Sequence, residues 1–436
     1  MIAKIINFIK YSYHRPTAKV EHFFTLFLKL FLNKKTFLFS EKMMLLKIPP
    51  VSTIYLNKIG RFFYALLNFT TILFFRKFFD KSLFIEDSEN KKNLKKHVGD
   101  NSSPWPPQAI HLFENSKEEV DDEFFKKIEK SYIKSIESLK KTDFKDSAWW
   151  EERRKEFSSI FLKDSKINKN ALINFRNDVD SKAAILSDQN YAVSKNNSNI
   201  TNMINTTLFA CLYHKYSEVM DINILRSISD SEAGNNNSII YRGQRLNHRL
   251  LRYAYYVSQL KNNLNFIRKD KIKICDVGGG YGGLLRLLKH VYTDSCCILI
   301  ELPETCFLAS YFLKKNFPNK KILLYSEIEN ENINFNEYDF VILPQTAISI
   351  IKDDSIDLVL NTSSLSEMDN QTQNFYIKEI ERITKTYFYS INRHGFKRQK
   401  YNAQGYYNLK FDKRWNTLIY KFTHTYQLEF LGEKLN

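Results

Sequence analysis

The 436-residue chain has only five cysteines, and none of them sits in a paired CxxC spacing. Cys296 and Cys297 are adjacent and do not bridge readily, and Cys211, Cys275 and Cys306 offer no framework, so reduced structural thiols in a cytosolic compartment are expected. No His/Asp/Glu cluster has metal-ligand spacing, and Asp353-Asp354 before Ser355 reads as a polar turn, so no required metal is expected. The start of the chain lacks a small-residue cleavage site, because residues 1–10 run into Tyr-Ser-Tyr-His-Arg-Pro, and secretion is not expected. The apolar runs at 22–32 and 62–75 fall short of the roughly 20 residues that a bilayer-spanning helix needs.

Hydrophobic residues make up 43% of the chain, enough for ordinary cores in two or three domains. The formal charge of +17 is concentrated, since residues 1–85 hold 14 Lys/Arg against three Asp/Glu, a difference of 11. Cations flanking short aromatic helices suit a headgroup plane, so peripheral membrane contact through 1–85 is an expectation, with simple packing as its alternative. No RNA-binding motif stands out, and no nucleic-acid partner is expected.

Four regions follow from texture. Residues 1–85 form a basic, aromatic-rich helical extension, and 86–108, with its charges and Pro104, Pro106 and Pro107, form a linker. Residues 109–262 form a helical region, a lid or cap, marked by Phe124, Ile128, Tyr132, Ile136 and Leu139 at helical spacing. Polar stretches at 194–202 and 229–238 interrupt it before a helix at 246–260. In 263–436 short β-branched runs alternate with amphipathic helices: strands at 271–277, 296–301, 340–343, 356–361 and 387–391, helices at 284–290, 305–316 and 371–384. That alternation predicts an α/β fold with a mostly parallel sheet flanked by helices. Residues 321–325 fit either a further strand or an inserted hairpin.

The first strand runs into Asp276-Val277-Gly278-Gly279-Gly280-Tyr281-Gly282-Gly283 and opens a helix, so a ligand would meet backbone N–H groups there. The glycines fit both a dinucleotide fingerprint and a methyltransferase loop. Asp276, two residues before the first glycine, favours the cationic methionine end of S-adenosylmethionine over a pyrophosphate. Glu301, at the end of the next strand, suits ribose hydroxyls of either cofactor. The strand at 357–361 delivers small polar groups, 362–368, to the carboxyl end of the sheet, where a methyl acceptor would lie.

Residues 276–283, Ile300-Glu301-Leu302-Pro303-Glu304 and 357–368 resemble a sugar O-methyltransferase family within the class I methyltransferases. Gly243-Gln244-Arg245-Leu246-Asn247 and the helix after it are similar to the same family's lead-in, and the resemblance spans roughly 110–425. It implies a Rossmann-like class I methyltransferase fold with a helical N-terminal region, S-adenosyl-L-methionine as cofactor, and a sugar or glycan acceptor. Asp276, Gly278, Gly280 and Gly282 would hold the methionine and ribose portion, Glu301 the ribose, Leu302 one face of the adenine, and Gln345 its edge if it follows the third strand. A non-sugar acceptor and a nicotinamide-dependent oxidoreductase stay open as alternatives.

Methyl transfer to an alcohol needs an aligned oxygen and a proton acceptor. His394, after the strand at 387–391, and Glu367, after that at 356–361, are the candidate bases; each has a structural alternative, an exposed loop histidine and an ion pair with Arg393 or Arg382. His248, three residues after Arg245 on the lead-in helix, is a candidate for acceptor contact or pocket closure. Tyr406-Tyr407, Trp415 and Tyr420 are aromatic enough to stack on sugars, but core packing is the better reading for most of them.

Overall fold

The computed structural model describes residues 119–435, except 143–147, 164–165, 177–211, 214–215, 218, 236–238, 242–243, 265, 267–270, 330–332, 394–413 and 424–426. The expectations for 1–85 and 86–108, for His394 and for Tyr406-Tyr407 lie outside the described residues. No described helix is long and apolar enough to cross a membrane.

The described helices begin where the sequence supplies caps. Asp121 accepts from the Phe124 amide (2.6 Å) to start α1, Asp122–Lys140, which has acids in its first turn and buries Phe124, Phe125 and Ile128. Helices α2 (Ala148–Phe161), α3 (Lys169–Ile173) and α4 (Ile222–Ser227) follow. The expected helix at 246–260 starts later. Gln244–Leu246 pairs with Ile239–Tyr241 as a two-stranded ladder, and Asn247 then caps α5, His248–Asn263, through the Leu250 amide (2.8 Å). A cap in extended conformation cannot belong to the helix that it starts, which moves Arg245 off that helix.

The remaining elements are β1 (Ile272–Val277), α6 (Gly283–Val291), β2 (Ser295–Glu301), α7 (Pro303–Asn316), β3 (Ile322–Leu324), β4 (Phe340–Pro344), β5 (Ile356–Thr362), α8 (Asn370–Ile383), β6 (Thr384–Arg393), β7 (Trp415–Phe422) and β8 (Gln427–Lys434). Strand and helix alternate as expected from β1 through α7 and again at β5-α8-β6. One eight-stranded sheet has the order β7-β8-β6-β5-β1-β2-β4-β3. Within this sheet the described pairings are parallel except those of β8, which runs antiparallel to both β6 and β7. Residues 321–325 thus supply an edge strand parallel to β4. This is a Rossmann-like α/β fold, a mostly parallel sheet flanked by helices.

Both faces of the sheet are covered, which is why its strands are apolar almost throughout. Ile274 joins a core with α1, α5, α6 and α7, whereas its neighbour Cys275 joins the opposite core with Tyr376, Ile380 and Ile383 of α8. Cys275, Cys296, Cys297 and Cys306 are free and buried. Helix α1 packs on α7 through Phe125 stacked on Tyr311 (6.0 Å) and Tyr132 edge-on to Phe307 (5.5 Å). Chain order leaves β1 in one direction for β2 and in the other for β5, so the carboxyl ends of β1 and β5 form a crevice where sheets of this kind bind ligands.

Candidate cofactor and acceptor site

The glycine loop opens into this crevice. The Gly278 amide donates to the Ile300 carbonyl (2.8 Å), tying the loop to β2, and Gly278, Gly280 and Gly282 have φ of 78°, 60° and 82°. Left-handed backbone costs an L-residue roughly 1–2 kcal/mol, so a side chain is disfavoured at all three. Their surroundings differ. A Cβ on Gly278 would overlap the Ser364 hydroxyl after β5, whereas one on Gly280 would meet nothing within 4 Å. Gly278→Ala is therefore expected to lower both thermal stability and cofactor affinity, while Gly280→Ala costs about 1–2 kcal/mol of stability and obstructs the ligand side of the loop. Equal melting losses with equal affinities in the two variants would contradict this placement.

Asp276 lies under the loop. It is fully buried against Gly279 and Leu299, and neither carboxylate oxygen has a hydrogen-bond partner among the described residues. Burial, and then the nearby Glu301 charge, push its pKa up to about 8. Glu301 ends β2, where its Oε1 accepts from the Gly280 amide (2.9 Å) and its Oε2 from the Leu302 amide (2.6 Å). These two backbone bonds fix the orientation of the Glu301 carboxylate beside the loop. Leu302, a nearly buried side chain, is the N-cap of α7.

Gln345 follows β4 directly, and β4 is the strand beside β2, with Pro344 in register with Glu301. The Gln345 side chain is 1% exposed, and neither its Oε1 nor its Nε2 has a hydrogen-bond partner among the described residues. Leaving a buried amide unmade costs a few kcal/mol, so orphaned Asp276 on β1 and Gln345 after β4, on either side of β2, mark where ligand polar groups would fit.

The carboxyl ends of β1, β5 and β6 are tied together by two asparagines that carry no motif in the sequence. Asn361 Nδ2 donates to the Val277 carbonyl (2.8 Å), while its Oδ1 accepts from the Leu365 amide (3.1 Å) and from Asn392 Nδ2 (2.9 Å). Asn392 Oδ1 accepts from the Ser366 amide (3.1 Å). Both asparagines are fully buried, and together they lock the ends of β1, β5 and β6. The available signal was a polar residue closing the apolar run Leu358-Val359-Leu360. Ser363 beside them has φ of 63°, a strained conformation held by its amide on the Ile391 carbonyl (2.7 Å) and by Gln427 Nε2 donating to its Oγ (2.9 Å).

Glu367 closes a short turn after β5, with its Oε1 3.9 Å from Arg393 Nη1. Of its two proposed ion partners, Arg393 is thus the near one, and Arg382 instead binds Asp353 and Glu379. His248 is the first residue of α5, half-buried. Arg245 lies on the preceding strand, with an ion pair to Glu232 (3.7 Å), so the shared helix face expected for Arg245 and His248 does not exist. Of the late aromatics, Trp415 packs on Phe388 and Phe430 in the core, whereas Tyr420 is 62% exposed.

No family model matches the chain, and no curated protein does. Among solved structures it is similar to the mitomycin 7-O-methyltransferase, with 18% identity over 34% of this chain and 41% of that one and a TM-score of 0.24. It is also similar to the magnesium protoporphyrin IX methyltransferase of Synechocystis with bound SAH, with 9% identity over 43% of this chain and 84% of that one and a TM-score of 0.33. A third is the O-methyltransferase family 2 protein of Planctomyces limnophilus in complex with apigenin, with 11% identity over 42% of this chain and 58% of that one and a TM-score of 0.30. The chain thus spans about two fifths of the length of the first of these. At such identities and scores the likenesses carry no weight of their own, and the fold assignment rests on the strand order and the glycine loop.

Proposed function

We propose that the chain is an S-adenosylmethionine-dependent O-methyltransferase acting on a sugar hydroxyl of a surface glycan or of its precursor. One observation carries the cofactor choice: a buried, unpartnered carboxylate, Asp276, lies directly beneath the glycine loop. A cationic ligand relieves that carboxylate, and a pyrophosphate would worsen its burial. When bound, S-adenosylmethionine supplies a methyl carbon on a sulfonium. Around it, the loop amides and Asp276 hold the methionine end, Glu301 takes the ribose hydroxyls, Leu302 covers the adenine, and Gln345 meets the adenine edge.

The acceptor lies over the turn at 363–368, where Glu367 takes the hydroxyl proton and His248 closes the pocket from the cap side; His394, the other candidate base from the sequence, lies outside the described residues. Proton removal by one positioned group contributes roughly 100- to 10,000-fold. Glu367→Gln and His394→Gln are therefore each compared with the parent enzyme: loss of turnover with unchanged S-adenosylhomocysteine affinity identifies the base. Unchanged turnover in both variants removes the assignment.

The buried free thiols fit a reducing, cytoplasmic compartment. The basic segment 1–85 would bring the enzyme to the inner membrane surface, where lipid-linked precursors are built. The sugar assignment rests on the resemblance at 276–283, 300–304 and 357–368. Mass spectrometry of surface glycans with and without the protein tests it: the expected result is a shift of one methyl group, and identical glycans would refute it.

A further inference from the structure

In the loop 278–283 only residue 281 has a side chain; the other five are glycines. Glycine loses more freedom on ordering than any other residue, so a run of five makes a loop that is costly to hold in one shape. Tyr281 is the one handle by which the rest of the protein can fix that shape. It is 3% exposed, and its ring packs edge-on against Phe175 (5.5 Å) and Phe312 (4.8 Å). The Arg176 guanidinium lies 5.2 Å from the ring centroid, with Arg249 5.8 Å away.

Arg176 comes from outside the sheet region and is itself held through both terminal nitrogens of its guanidinium. Its Nη2 makes a two-pronged pair with Asp230 (2.8 and 2.9 Å), and its Nη1 donates to the Ser231 and Ala233 carbonyls. Asp230 also accepts from Asn247 Nδ2 (2.6 Å), the cap of α5. Arg286, in the first turn of α6 beyond the loop, donates to the Ser229 carbonyl (3.0 Å). The turn at 229–233 therefore reaches the loop through Arg176 at Tyr281 and the helix just after it directly at Arg286.

We propose that Arg176, fixed by Asp230, is a positioning residue that holds Tyr281 and thereby presets the glycine-loop backbone for the cofactor. This rests on the cofactor reading above only for the identity of the ligand. It makes Arg176 and Asp230, which precede the sheet in the chain, supports of the cofactor site.

The test compares the full chain with Tyr281→Phe, Tyr281→Leu and the paired change Arg176→Met with Asp230→Asn, which removes both charges so that neither is left buried alone. Hydrogen exchange of the peptide over 276–284 is followed without ligand, with 384–393 as internal reference, and S-adenosylhomocysteine affinity is measured by calorimetry. Tyr281→Phe keeps the ring and is expected to stay within about twofold of the parent. Tyr281→Leu and the paired change are expected to speed loop exchange selectively and to weaken binding about tenfold. Parent-like loop exchange in either folded variant would overturn the proposal, as would equal acceleration at 384–393. If the parent chain does not bind S-adenosylhomocysteine, the cofactor reading fails, while the exchange comparison still decides the anchor.

Discussion

Asp276→Asn is expected to make the ligand-free protein more stable at pH 8 while weakening its hold on S-adenosylmethionine. Burial and Glu301 raise the Asp276 pKa to about 8, far above the ordinary carboxylate value of 3.8. The sign follows from proton counting. Between about pH 4 and pH 8 the folded protein keeps a proton that the unfolded chain has released, so the stability contributed by Asp276 is full at low pH and is lost as pH rises through 8. The loss is on the order of a few kcal/mol by pH 8. Asparagine does not titrate, so the difference in melting temperature between variant and parent should widen steadily from pH 5 to pH 8. For binding the same linkage runs the other way. A cationic ligand selects the ionised carboxylate, so parent affinity for S-adenosylmethionine should rise toward pH 8, by up to about tenfold per pH unit, and the variant should show a weak, flat profile. A melting difference that ignores pH would mean that Asp276 is already ionised in the ligand-free protein.

Glu429→Ala is expected to be the most destabilising single change at the sheet end. Glu429 is fully buried on β8 and accepts from the Tyr255 hydroxyl of α5 (2.6 Å) and the Tyr389 hydroxyl of β6 (2.8 Å), with Lys421 Nζ 3.7 Å away. Burial, and then the Glu429 charge, raise both tyrosine pKa values, so each hydroxyl keeps the proton that it donates. Truncation strands two buried donors and opens a void, at a cost of about 3–5 kcal/mol in urea unfolding. Glu429→Gln keeps one acceptor oxygen and should cost clearly less. Equal losses for the two would show that side-chain volume, and not the acceptor, holds α5 to the sheet.

The part of the fold that shows in the sequence is the part governed by local period. Alternation of apolar strands with amphipathic helices from 271 onward, and the glycines after β1, announce a parallel sheet with a ligand loop, because both signals lie within a few residues of one another. The helix at His248 starts two residues after the apolar pattern places it, because Leu246 fits that pattern but faces the core from a short strand. The polar stretch at 229–238 reads as a surface interruption, yet Ser229, Asp230 and Ser231 are buried. Their burial depends on Arg176, 54 residues upstream of Asp230, and no local pattern encodes a pair at that separation. Asn361 and Asn392 were invisible for the same reason: each looks like a strand end until the parallel register of β5 and β6 sets them side by side.

The most direct test of the cofactor assignment is calorimetric titration of the purified full chain with S-adenosylmethionine, S-adenosylhomocysteine and NAD(H). Saturable binding of one S-adenosylmethionine or S-adenosylhomocysteine per chain, lost in Gly280→Ala, with no heat from NAD(H), is the expected result. Binding of NAD(H) alone, or of none of the three, would contradict it.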